Sequence, residues 1–119
     1  TASDSARGYV AWGGPPEIGE LDGTLVPSAA AGSLPFLPQD CVRCLRQFRE
    51  RHTAAAWTRF GLADAFNPAK GWVGPDVIGI NAGISLLMAE NARTGFVWNT
   101  FMENPEARRA MKLVGFRKS

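Results

Sequence analysis

The sequence predicts an all-α protein, an arc of a larger two-layered ring of helices with long aromatic-bearing loops, and three observations predict it. First, in Asp76 to Trp98, DVIGINAGISLLMAENARTGFVW, Ile80, Ile84, Leu87 and Met88 form one helical stripe. Val77, Ile78, Leu86 and Ala89 cover its other sides, so this helix has almost no wet face and needs neighbours all round. Second, the remaining helices are apolar on one side only. Alternation between all-apolar and one-sided helices is what two concentric layers require, and three or four helices cannot close such a ring. Third, no segment keeps a period of two long enough to read as a strand.

Taken in order, residues 1 to 25, TASDSARGYVAWGGPPEIGELDGTL, are rich in Gly and Pro and read as loop. A structureless run of that length is uncommon and usually functional. Tyr9 and Trp12 within it either pin the loop to a core or offer a platform to a ligand. Pro27 suits the first turn of a short helix, PSAAAGSL, near 27 to 34. The lead thus spans 1 to 37, and the helical part 38 to 119. A second helix is expected from Pro38 or Gln39 to about Trp57, with Cys41, Cys44, Leu45 and Phe48 inward and Arg43, Arg46, Arg49, Glu50 and Arg51 in water.

Residues 58 to 75, TRFGLADAFNPAKGWVGP, carry four breakers and read as loop. Asp76 is the expected N-cap of the apolar helix. Gly79 and Gly83 line one of its faces, where another backbone could approach. Its few polar groups, Asn81, Ser85, Glu90 and Asn91, each need a partner if buried. After a junction at Arg93-Thr94-Gly95 comes a short helix, Phe96 to Glu103, with Trp98 expected in the core. Asn104 then caps a helix that has Pro105 at its first position and is closed by Gly115.

At 119 residues and 45% apolar composition, the chain is one domain or a piece of one. A net charge of +2 leaves no footprint for nucleic acid. No apolar run reaches the length of a membrane span. The chain starts at Thr1 rather than Met, so a leader or a larger upstream part is expected before it. Cys41 and Cys44 lack the further ligands of a zinc site, and no strand precedes them as a redox pair requires. They read as small hydrophobes on a helical stripe. No metal or cofactor is expected.

The strings TASD at 1 to 4, DGTLVPSAAAGSLPF at 22 to 36, FGLADAFNP at 60 to 68, GINAGISLLMAENARTGFVW at 79 to 98 and NPEARRAMKLVGF at 104 to 116 follow one another through nearly the whole chain. Together they resemble the C-terminal part of the glycoamylase-like family, which includes bacterial glucoamylase-like proteins, endo-β-1,2-glucanases and domains of cyclic β-1,2-glucan synthases. The resemblance implies an (α/α)6 toroid acting on bacterial glucans such as β-1,2-glucan, in the periplasm or cytoplasm. Its partners would be a glucan oligosaccharide and the upstream remainder of the same toroid, or a second copy. Where the family shows Asp-Gln-Gly-Pro, this chain has Asn81, Ala82, Gly83 and Ile84. The family's upstream helices, with much of the cleft and the general acid, are absent, so this chain alone is expected to be inactive.

Hydrolysis of a glycosidic bond normally uses two carboxyl groups that flank it. Outside obviously solvated faces the candidates are Asp22, Asp64, Asp76 and Glu90. Asp64 and Glu90 are the catalytic candidates, although Glu90 also reads as a buried pair with Arg93 joining two elements. If the cleft lies at the N-terminal ends of the inner helices, Asp64, Asn67 and Trp72 on the preceding loop are placed to meet sugar. The first two would hydrogen-bond hydroxyls and Trp72 would offer a flat apolar face. Alternatively, DAFNP is a turn whose side chains bond their own backbone. With Tyr9, Trp12 and Asp22 from the lead, these are the substrate-binding candidates. A reading of another class is a non-catalytic helical interaction module, completed by a partner or by self-association.

Overall fold

The computed structural model describes residues 22–116 and the backbone of two short strands, β1 (Ala2–Asp4) and β2 (Gly8–Val10), which pair antiparallel. Thereafter come α1 (Pro27–Gly32), α2 (Pro38–Arg51), α3 (Thr53–Ala56), β3 (Trp57–Thr58), β4 (Gly61–Leu62), β5 (Phe66–Asn67), β6 (Trp72–Val73), α4 (Gly79–Thr94), α5 (Phe96–Glu103) and α6 (Pro105–Leu113). The described residues are mostly helical, as expected. The strands are a correction to the all-loop reading of 1–25 and 58–75. They escape a period-two search because each holds two or three residues, in the pairs β1-β2, β3-β4 and β5-β6.

Several helices form where local chemistry places them. Pro27 opens α1 and Pro38 opens α2, each at a position whose N–H would be unbonded anyway. Asn104 Oδ1 accepts from the Glu106 N–H at 2.9 Å, capping α6. That helix ends with Gly115 at φ +75° and with Phe116 N–H donating to the Met111 carbonyl at 3.0 Å, a Schellman-type stop. On α2, Cys41 and Phe48 are buried and Cys44 and Leu45 half-buried, which is the anticipated stripe. Both cysteines are free. The helix stops at Arg51 instead of running to Trp57: His52 leaves helical geometry, one further turn forms α3, and Trp57 is already in β3.

The tertiary core is not where the apolar helix lies. Phe66 of β5 is fully buried and packs edge-on to Phe48 of α2, with ring centroids 5.4 Å apart. Ala56 completes the cluster, and Leu25, Ala30, Cys44, Leu45 and Ala55 pack around it. Leu25 and Phe66 exchange both backbone hydrogen bonds, at 2.8 and 2.9 Å, so the lead is stitched to the hairpin that carries the central ring.

α4 departs from expectation in three ways. It begins at Gly79 with extended Ile78 as N-cap, so Asp76 does not cap it; the Asp76 carbonyl instead accepts the Asp64 N–H at 3.3 Å. Nothing approaches Gly79 or Gly83 among the described residues, and the tight contact falls on α1: a Cβ on Gly32 would lie 3.2 Å from Ile84 Cγ1. Finally, α4 packs chiefly on α1 and α5, and among the described residues much of its remaining apolar surface is open, with Ile80 and Leu86 each 72% exposed. Trp98, expected in the core, is 43% exposed and leans on exposed Phe36, centroids 5.5 Å apart.

Candidate functional site

The sequence-predicted site residues fall into three places. The first is the turn end of the β5–β6 hairpin. Asn67 Nδ2 reaches back 45 residues to donate to the Asp22 carbonyl at 3.0 Å and to Thr24 Oγ1 at 3.3 Å. Asn67 Oδ1 accepts the Lys70 N–H at 3.1 Å, which braces the turn Pro68–Gly71 in the manner of an Asx side chain. Lys70 Nζ then pairs with Asp22 Oδ2 at 2.6 Å. That ammonium, with Thr24 beside it, holds the Asp22 carboxyl well below the usual carboxylate range. Trp72 is the cross-strand partner of Asn67 and therefore on the same face of the hairpin. Trp72 is half-buried, whereas Asn67 is 0% exposed, its amide bonded within the protein.

The second place is the start of α4. Phe66 packs on Phe48 of α2, while Asp64, at a bend two residues earlier, meets α4. Its carboxylate, also 0% exposed, accepts from Asn81 Nδ2 at 2.6 Å. Asn81 stands in the first turn of α4. Ser85 donates to the Asn81 carbonyl at 2.7 Å, so this polar group is satisfied inside its own helix.

The third place is the far end of α4. Glu90 accepts two bonds from the Arg93 guanidinium, both at 2.9 Å, and one from Thr94 Oγ1 at 2.8 Å. The Arg93 fork, followed by Thr94, lowers the Glu90 pKa. This pair is i, i+3 on one helix with Arg93 largely exposed, so it is not a buried link between two elements. Asn81 and Glu90 are nine residues apart, about 13 Å of helix, so Asp64 and Glu90 sit at opposite ends of α4. Tyr9 contributes only its backbone to the description, and Trp12 lies outside the described residues.

Thr24 and Lys70 were missed by sequence reasoning, and Asn91 was singled out only as a polar group in need of a partner. Asp-Gly and Asn-Pro are turn signals that could have drawn attention to Thr24 and Lys70. Asn91 Oδ1 accepts the Trp98 N–H at 3.0 Å and so caps α5 from the preceding helix, a role no local pattern announces. Two open grooves of about 600 and 410 Å³ run along α2, between Pro38 and Glu50 and beside His52. None of Asp22, Asp64, Asn67, Trp72 or Glu90 lines them. Among the described residues no cluster of His, Cys, Asp or Glu could hold a metal ion, and no helix is long and apolar enough to cross a membrane.

Comparison with known proteins places these features in a family. An exo β-1,2-glucooligosaccharide sophorohydrolase (non-reducing end) of Parabacteroides distasonis is 34% identical over 114 residues, 96% of this chain and 16% of the relative. A crystal structure of a putative glucoamylase from Bacteroides uniformis superposes with a TM-score of 0.84 at 34% identity, over 99% of this chain and 28% of the other. An endo-β-1,2-glucanase from Chitinophaga pinensis, in complex with sophorotriose and glucose, superposes with a TM-score of 0.84 at 30% identity, over 99% of this chain and 28% of the other. This chain therefore spans less than a third of the relatives it matches, and is related to glycoside hydrolases that act on β-1,2-glucan. The family model described as Glycoamylase, putative glucoamylase, matches residues 1–105, and the chain belongs to that family.

Proposed function

We propose that this chain forms the C-terminal arc of an (α/α)6 toroid that acts on β-1,2-glucan, and that it lacks hydrolytic activity by itself. The observation that carries the reading is the match of nearly the whole chain, at 30–34% identity, to two enzymes named for β-1,2-glucan chemistry, one of them in complex with sophorotriose. Within the arc, Trp72 and the rim of Asp22 keep some exposed surface and are the groups for direct sugar contact, with Tyr9 and Trp12 joining them from the lead. Fully buried Asn67, bonded to Asp22 and paired across the strand with Trp72, supports that surface, and buried Asp64 anchors the start of α4. Inactivity in isolation follows from the carboxyl groups: Asp22 is paired with Lys70, Asp64 is buried against Asn81, and Glu90 is tied to Arg93 at the other end of α4. Each of these carboxyls is engaged by a partner of its own, whereas glycoside hydrolysis uses two carboxyls that flank the bond.

Titration with sophorotriose and with maltotriose, followed by NMR, tests the reading. Shifts at Trp72 with sophorotriose alone are expected, together with no reducing-end release from β-1,2-glucan above a buffer blank. Equal response to both sugars would overturn the linkage, and sustained release would overturn the inactivity.

A second reading, a non-catalytic helical module completed by another polypeptide surface, is favoured by the large apolar side chains left exposed on α4, α5 and α6, including Leu86, Phe101 and Leu113. Apolar exposure on that scale marks an interaction face. Absence of any sugar response, with tight binding to the remainder of the toroid, would select it.

A further inference from the structure

We draw no further inference here: the strongest candidate, the exposed apolar face running along α4, α5 and α6 through Leu86, Phe101 and Leu113, carries nothing beyond the reading above because nothing in the structure shows what covers it.

Discussion

Asn81 Nδ2 donates to Asp64 Oδ1 across 2.6 Å, and both side chains are buried although 17 residues separate them in the chain. This bond, together with Asp64 N–H donating to the Asp76 carbonyl, fixes the entry into α4, whose first turn has no side-chain cap of its own. A buried donor or acceptor that loses its partner costs about 1–3 kcal/mol, more when the group is charged.

Asp64→Ala should therefore lower the unfolding free energy by about 1–3 kcal/mol, and Asn81→Ala by at least as much because it strips a donor from a buried carboxylate. Since each single change already breaks the same bond, the double variant should fall short of the sum. Urea titrations of the four proteins measure this. Strict additivity of the two losses would show that the bond contributes nothing of its own.

Asp22 gives a pH signature. Its folded-state pKa is depressed, chiefly by Lys70, so the stability it contributes is present above the unfolded value near 3.9 and is lost as pH falls through the folded value. Acidification from about pH 5 downward should progressively weaken the join between the lead and the hairpin. Asp22→Asn should flatten that part of the acid limb and cost at most about 1 kcal/mol at pH 7, because Lys70 is half exposed and solvent screens the pair. Melting temperatures across pH 3–7 decide it: parallel curves for the two proteins contradict the assignment.

Gly32 sets the approach of α1 to α4. A methyl group there would meet Ile84 Cγ1 at 3.2 Å, so Gly32→Ala should be close to neutral once Ile84 shifts slightly, while Gly32→Val should cost about 1–3 kcal/mol by overpacking. Shortening the neighbour with Ile84→Val should recover part of that loss. If Gly32→Val is as stable as the parent, the two helices are not in register at this point.

Association is the fourth expectation. Large apolar side chains such as Ile80, Leu86, Phe101 and Leu113 stand in water in the single chain, and burying each stabilises by roughly 1.5–3 kcal/mol. Against a total stability of about 5–15 kcal/mol for a domain, the 12.8 kDa chain should sediment as larger species at micromolar concentration. Leu86→Glu and Leu113→Glu should reduce that association. A monodisperse 12.8 kDa particle with a cooperative melt would rule it out.

The sequence by itself determined whatever is decided within one helical turn. Pro27, Pro38 and Asn104-Pro105 start helices, Gly95 and Gly115 stop them with positive φ, and the spacing of Cys41, Cys44, Leu45 and Phe48 sets the inward face of α2. The family strings were equally legible, since they are local blocks in fixed order. Only the tertiary structure decided that the core is centred on Phe66 and not on the most apolar helix. It also decided that α4 starts at Gly79, that Asp64 turns to Asn81 while Asn67 turns to Asp22, and that Asn91 caps the helix after its own. The physical reason is that hydrophobicity ranks what is willing to be buried, whereas burial depends on which neighbours are present. In α4 the apolar side chains are ready on every side, but among the described residues α1 and α5 are the main helices packed against them.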